Sequence, residues 1–283
     1  MSRRQRGIAL VSVLLVMSLA LLMTSGLLRS HRLSLQNTGL AVQQVHVRQL
    51  ALAGEAWALL QLQAAARSSE KTVDMTQDWA RKTPDFDVGD AQLHVAIEDL
   101  AGRFNLNALL NQGRIDPITL KRWERLLERL DLAPLSLDQV GPLNELSQLR
   151  LLPGVDGHLL RQLEPWVAVL PTDAALNINT APALLLRALD DVEAATVEAL
   201  VRQRSTQAWP SAQAFAHDPL LAGTGLSSHG LGVGSRWFRI TVQVTRGQSR
   251  LRLATDVERD SDTPRFKVLQ RRLLPSNADE TPR

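Results

Sequence analysis

The stretch that most restricts this chain is its start. MSRRQRG gives way at Ile8 to an apolar run that reaches Leu28 without a charged residue. A helix of about 20 such residues spans the hydrocarbon layer of a bilayer. The polar interruptions are Ser12, Ser18, Thr24 and Ser25, all small. Their hydroxyls can bond back to helix carbonyls, so none needs water. A secretory signal has a shorter apolar core with a small-residue cleavage site behind it. Here the run ends Leu27-Leu28-Arg29, and no A-x-A site follows. The pattern predicts one transmembrane anchor. The positive-inside rule puts Met1–Arg6 in the cytoplasm and the bulk of the chain outside.

The formal charge of +3 comes from the same seven residues, because three of the 32 Lys and Arg precede Gly7. The other 29 balance 29 Asp and Glu. Beyond the leader the chain has no global attraction to polyanions. It contains no cysteine, which excludes disulfides, thiolate nucleophiles and Cys-based metal sites.

Arg29–Ala66 contains no proline. Leu33, Leu40, Val47, Ala51, Gly54 and Ala58 recur at spacings of seven, seven, four, three and four; Leu35, Val42, Val45, Leu52, Leu59 and Leu62 form a second stripe. This periodicity predicts that the anchor helix continues. Gly39 and Gly54 each weaken it by about 1 kcal/mol against alanine. Unbroken from Ile8 to Ala66, it would be about 90 Å long.

Val73–Asp90 is Asp-rich, contains Pro84 and Gly89, and reads as a loop. AQLHVAIEDL then alternates Leu93, Val95 and Ile97 with polar or small residues, which predicts a half-buried strand. A mainly helical block follows from about Asn105 to Gly234. Asp116-Pro117 opens one helix, with Leu120, Trp123, Leu126, Leu127 and Leu130 on one face. Leu159, Leu160, Leu163, Trp166 and Val167 make a second face. Thr180 reads as the cap of a third helix, carrying Leu184, Leu185 and Leu189. Val192–Arg204 is a fourth, and Pro210-Ser211 opens a short last one. Strands return in WFRITVQVTR and SRLRLATDVE, joined by a turn at Gly247-Gln248, and again, more weakly, over Arg265–Leu274. From Pro275 the chain is polar and predicted disordered. A strand whose partners lie beyond a helical block predicts an α+β fold. An antiparallel sheet packs on the long N-terminal helix, and an all-α domain is inserted between strands.

RRQRG-IALVSVLLVMSLALL resembles the leader of prepilin-type proteins. The resemblance implies cleavage by prepilin peptidase between Gly7 and Ile8, and N-methylation of Ile8. The fifth mature residue is Ser12, where most pilins and pseudopilins carry glutamate. The characteristic exceptions are the K-type minor pseudopilins of type II secretion systems. EDLAGRFNLNALL, NELSQLRLLPGV, LNINTAPALLLRAL and SRWFRITVQV resemble further signatures of that family. Together they carry the resemblance over nearly the whole chain to Leu274. It implies a leader over 1–7, a membrane segment over 8–28 and a periplasmic helix over 29–66. It also implies a pilin-like core from 67–104 and 235–274, an inserted helical domain over 105–234, and a tail over 275–283. The implied location is the inner membrane, with a cytoplasmic N-terminus and a periplasmic bulk. The implied partners are the I-type and J-type minor pseudopilins and the major pseudopilin, and the implied role is at the tip of the pseudopilus.

One departure is clear. The family's acidic stretch ahead of the ELR-like segment is missing, and the chain reads LDLAPLSLDQVGPLNELSQL there. No cofactor is expected, and no calcium ligands are assigned. Asp85, Asp87 and Asp90 are spaced suggestively but fall short of the six to eight oxygens calcium takes.

Other chemistry finds little support. His31, His46, His94, His158, His217 and His229 form no HExxH pair, and no serine sits in a GxSxG elbow, so no enzyme is expected. The Gly-rich TGLSSHGLGVGS leaves a helix and precedes a strand, the reverse of a dinucleotide loop. The competing reading is a membrane-anchored helix-hairpin-helix DNA-binding protein, with hairpin turns at Gly154–Gly157 and Leu189–Val192. Charge opposes it, since Asn105–Gly234 carries 10 Lys or Arg against 14 Asp or Glu. No nucleic-acid partner is expected. Arg239, Arg250 and Arg252 suggest a basic sheet face, either solvated or turned to a partner.

Overall fold

The computed structural model describes residues 3–67, 72–81, 85–111, 114–137, 141–190 and 192–275. The side chains of 3–12, 33, 36, 37, 40 and 111 are outside the described set. The first element, α1, is one helix over Arg3–Ala66, 64 residues long. At 1.5 Å per residue it measures about 95 Å.

Two strands follow, β1 (Phe86–Val88) and β2 (Ala91–Asp99). The chain then enters the insertion, through β3 (Phe104–Asn105), β4 (Leu110–Asn111), β5 (Arg114–Ile115) and α2 (Pro117–Arg129). It continues through α3 (Gly157–Leu163), β6 (Val167–Ala168), β7 (Leu176–Asn177), α4 (Ala183–Ala188), α5 (Ala194–Arg204), α6 (Ala212–Ala216) and β8 (Leu231–Gly232). It leaves by β9 (Trp237–Arg246), β10 (Ser249–Arg259) and β11 (Phe266–Leu274).

The main sheet has the order β1-β2-β9-β10-β11, antiparallel throughout. β2 therefore finds its partner across the whole insertion. Leu93 faces Val244, Val95 faces Val242 and Ile97 faces Ile240. These inward residues meet Val47, Ala51, Ala58 and Leu62 of α1 in one core. The expected fold-back and its helical support are both present. The second core fills the insertion around Trp123, Leu126, Leu163, Leu185, Leu200 and Phe215. A small third cluster joins Leu100, Ala101 and Trp237 at the sheet end to Ala168, Leu170 and Ala174 of the insertion.

The strands climb in step with α1. Gly54 lies against Val95 and Val242. Past the C-terminal end of α1, the Val73 N–H donates to the Val233 carbonyl at 2.8 Å, and the Val73 carbonyl accepts from Asn177 of the insertion at 2.8 Å. The insertion consequently departs from the end of the sheet remote from the apolar half of α1.

Four details differ from the sequence reading. The inserted domain is mainly helical and not all-α, because among the described residues it also holds three two-stranded ladders, β3–β6, β4–β5 and β7–β8, whose two-residue strands are too short to leave a periodic signal. The loop expected over Val73–Asp90 contains β1, paired Phe86 to Leu93, and a 3₁₀ turn, Asp78–Ala80, that buries Trp79. Three residues are too few to show alternation, so β1 left no signal. Thr180 is not a helix cap, because α4 starts after Pro182 and the Thr180 hydroxyl donates to buried Asp99. The apolar face Leu159–Val167 also divides. α3 ends at Leu163, and Val167 instead pairs with Phe104 in the parallel β3–β6 ladder. The Asp116 cap is as expected: its carboxylate accepts the Thr119 amide at 3.1 Å, with Pro117 as the first helical residue.

Candidate functional site: an anchored helix and the joint above it

Among the described residues, one helical segment is long and apolar enough to cross a membrane, Val13–Arg32, with mean hydropathy 1.8 and none of it buried. Its hydroxyls bond back as their size predicts: Ser18 to the Leu14 carbonyl at 2.7 Å, Thr24 to Ala20 at 2.8 Å and Ser25 to Leu22 at 2.9 Å. Gly7, Ile8 and Ser12 are in the helical backbone of α1, but their side chains lie outside the described residues.

Above this segment one face of α1 is seated on the sheet. Gly54 marks the closest approach: a Cβ there would stand 2.8 Å from a Val242 methyl and 3.3 Å from one of Val95. The helix-weakening glycine is thus where strand and helix touch. The next residue, Glu55, is a buried acid that periodicity did not single out. Its carboxylate accepts from the Thr255 hydroxyl at 2.6 Å and from Arg271 at 2.7 and 2.9 Å. Burial pushes its pKa up, but the Arg271 and Thr255 bonds and the Arg271 charge outweigh that and hold it below the ordinary 4.5.

The second apolar stripe of α1 divides. Leu62 is buried and Leu59 partly so against the sheet core. Leu35, Val42, Val45 and Leu52 stay exposed, continuing the bare apolar surface of Val13–Leu28 up the helix.

At the top of the sheet the signature segments meet one another. From EDLAGRFN, Asp99 accepts the Asn177 amide at 2.8 Å and the Thr180 hydroxyl at 2.7 Å, both from LNINTAP, and the Ala101 amide at 2.8 Å. Burial drives the Asp99 pKa up, against bonds from Ser235, Thr180, Asn177 and the Ala101 amide. Gly102 sits under Thr180, where a Cβ would come within 3.1 Å of the backbone. Arg103 grips Glu98 at 2.5 and 2.6 Å and reaches the Glu164 carbonyl at 2.6 Å. Asn105 binds the Leu170 amide and the Pro171 carbonyl, and Asn179 ties to both backbone groups of Trp209. These signatures are therefore a hydrogen-bonded joint between sheet and insertion.

The charged candidates resolve differently. Asp90 is held by Arg246 at 2.8 Å and Asp85 faces His94 Nδ1 at 2.8 Å, while Asp87 is exposed on β1. Among the described residues no group of three or more His, Asp or Glu could hold a metal ion. Arg239 leaves the supposed basic face: it forms a two-armed pair with Asp256 at 2.7 and 3.0 Å, and Arg272 adds a third contact at 3.3 Å.

The Gly-rich connector offers carbonyls, since those of Ser227 and His229 accept from Arg122 at 2.8 and 2.6 Å; a phosphate needs N–H groups. At the first hairpin turn the Asp156 carboxylate already takes the free amides of His158 and Leu159. At the second, Asp190 binds Arg122 and Arg125. Among the described residues, the Asp156 and Asp190 carboxylates of these turns thus already have partners within the insertion.

The comparisons with known proteins agree with this architecture. Type II secretion system protein K of Klebsiella pneumoniae is 30% identical, over 96% of this chain and 97% of its own length. The chain belongs to the type II secretion system protein K family. The protein K of Pseudomonas aeruginosa is 29% identical over 93% of this chain and 91% of its own. The family model for protein K matches residues 176–234, the part of the insertion that carries Asn177, Asn179 and Thr180. The protein K fold is also seen in a solved structure, the GspK-GspI-GspJ complex of enterotoxigenic Escherichia coli. A chain of it superposes with a TM-score of 0.71 at 24% identity, covering 85% of this chain and all of that one.

Proposed function

We propose that this chain is the K-type minor pseudopilin of a type II secretion system, a structural subunit at the tip of the pseudopilus that primes its assembly and supports export of folded proteins. The observation that carries the reading is the placement of the insertion. It rises from the end of the sheet remote from the anchor, where another subunit stacked above would meet it. A terminal position removes that clash.

In this reading Val13–Arg32 and the residues before it hold the protein in the inner membrane, with the sheet and insertion in the periplasm. Prepilin peptidase cuts between Gly7 and Ile8, and Ile8 is methylated. Ser12 cannot neutralise a neighbour's N-terminal amine, which suits a subunit with no repeating place in the filament. The exposed stripe Leu35, Val42, Val45 and Leu52 packs against partner helices. The I-type and J-type minor pseudopilins are the assigned partners; support comes from the fold shared with a chain of the GspK-GspI-GspJ complex. The reading requires no cofactor, no catalytic step and no nucleic acid.

The test is expression of the full chain in its own membrane beside prepilin peptidase and the other minor pseudopilins. Mass spectrometry is expected to find an N-terminus at methylated Ile8, and affinity isolation to recover the I-type and J-type chains. An uncut leader, or isolation of the chain alone, would overturn the proposal.

A further inference from the structure

A cavity of about 670 Å³ opens on the insertion between α2 and the irregular segment that follows it. Binding pockets run from about 300 to 1,000 Å³. Its floor is apolar, built from Leu109, Trp123, Leu127 and Leu137, all buried. Hydrogen bonds fix the walls. Trp123 Nε1 donates to the Leu135 carbonyl at 3.0 Å. The Asn107 side chain accepts the Leu143 amide at 2.7 Å and donates to its carbonyl at 2.9 Å. These bonds tie the segment after α2 to Trp123 and Asn107 across the cavity.

The mouth has a single sign of charge. Glu124 and Glu128 lie one turn apart on α2, with Asp131 just beyond, and all three are exposed. Among the described residues none of the three forms an ion pair, and no Lys or Arg lines the cavity. An anionic lipid, a fatty acid or a nucleic acid would be repelled there, and a neutral apolar molecule would gain nothing from the rim.

We infer that this cavity is a docking site for a peptide segment in which two or three aliphatic or aromatic side chains are bracketed by Lys or Arg. The apolar side chains fill the floor, and the cations meet Glu124, Glu128 and Asp131. Most of the affinity comes from the buried anchors, while the rim sets partner choice and on-rate. The inference stands apart from the proposed secretion role, because it uses only the geometry of the insertion.

The test uses the full chain in phosphatidylcholine nanodiscs and a fluorescein-labelled ten-residue peptide of alternating Leu and Lys blocks, followed by anisotropy. One control peptide replaces Lys by Glu, a second replaces Leu by Ser, and empty nanodiscs give the background. The Leu/Lys peptide is expected to bind at least about tenfold more tightly than either control. The double variant Glu124→Lys/Glu128→Lys, which changes exposed residues only, is expected to lose about tenfold. Because the chain has no cysteine, Ile115→Cys at the cavity wall can carry a photo-crosslinker, which is expected to capture the peptide. Equal binding by both charge types, indifference to the double variant, or no capture at residue 115 while the peptide binds elsewhere would each overturn the inference. So would binding no stronger than to empty nanodiscs.

Discussion

The Glu55 carboxylate on α1 accepts two N–H groups of Arg271 on the last strand, at 2.7 and 2.9 Å, across a sequence separation of 216 residues. The pair clasps the first element of the fold to the last.

Its pH dependence has a definite sign. A pKa held below 4.5 means that Glu55 stabilises the fold fully above that pH, and that the contribution fades as pH falls through the folded value. Arg271→Ala leaves a buried acid without its cation, with the Thr255 hydroxyl still donating to it. A loss of about 1–3 kcal/mol at pH 7 is expected, towards the low end because Arg271 is half exposed. The loss should shrink at pH 4, where the orphaned acid can take a proton. Urea unfolding of the full chain at the two pH values measures both. An equal loss at each would contradict the assignment.

Gly54 and Gly39 provide a matched pair. Gly54→Val forces a side chain into Val242 and Val95 and is expected to cost about 1–3 kcal/mol. Gly39 has nothing within 4 Å of its would-be Cβ, so Gly39→Ala is expected to gain up to about 1 kcal/mol through helix propensity. Thermal unfolding of the two variants should move in opposite directions.

Asp99 titrates the other way from Glu55. Its raised pKa means that the folded state holds the proton longer than the unfolded chain, so the stability it contributes is greatest at low pH. That stability is lost as pH rises from the ordinary 3.8 towards the folded value. Asp99→Asn turns an amide N–H₂ towards donors from Asn177 and Thr180. It is expected to cost about 1–3 kcal/mol and to remove that slope. A stability–pH curve parallel to wild type would rule this out.

The bare stripe separates folding from assembly. Val45→Glu with Leu52→Glu alters exposed positions and is expected to leave unfolding within about 0.5 kcal/mol of wild type. The same variant is expected to fail in affinity isolation of the partner pseudopilins. Recovery of partners at the wild-type level would remove the stripe from the interface.

The parts that were legible were those with periodicity over many residues. Leu93, Val95 and Ile97, like Ile240, Val242 and Val244, alternate because one side of each strand is buried against α1, and this made the fold-back readable. β1 was too short to alternate. The Asp99–Asn177–Thr180 joint was present as quoted signatures, but spacing along the chain does not show that residues about 80 apart touch. Glu55 carries no signal along the chain because its partner Arg271 is on the last strand. Arg239 looked available for the same reason, since its partner Asp256 becomes adjacent only when β9 and β10 pair. Leu132, Leu135 and Leu137 fit no period. They line a cavity whose walls are tied by hydrogen bonds from the Trp123 and Asn107 side chains to residues 12 and 36 positions further along the chain.

The pairing of β2 with β9 also sets a timetable. A ribosome emits α1 and β2 early, yet the neighbour β2 needs comes only after the insertion has been made. Closing so long a loop is slow, and such topologies fold late. Until then the sheet-facing side of α1, around Val47, Ala51 and Ala58, has nothing to cover it. The newborn subunit must therefore wait, root in place, with its adhesive side bare, and such a side invites capture by chaperones or by waiting sister helices.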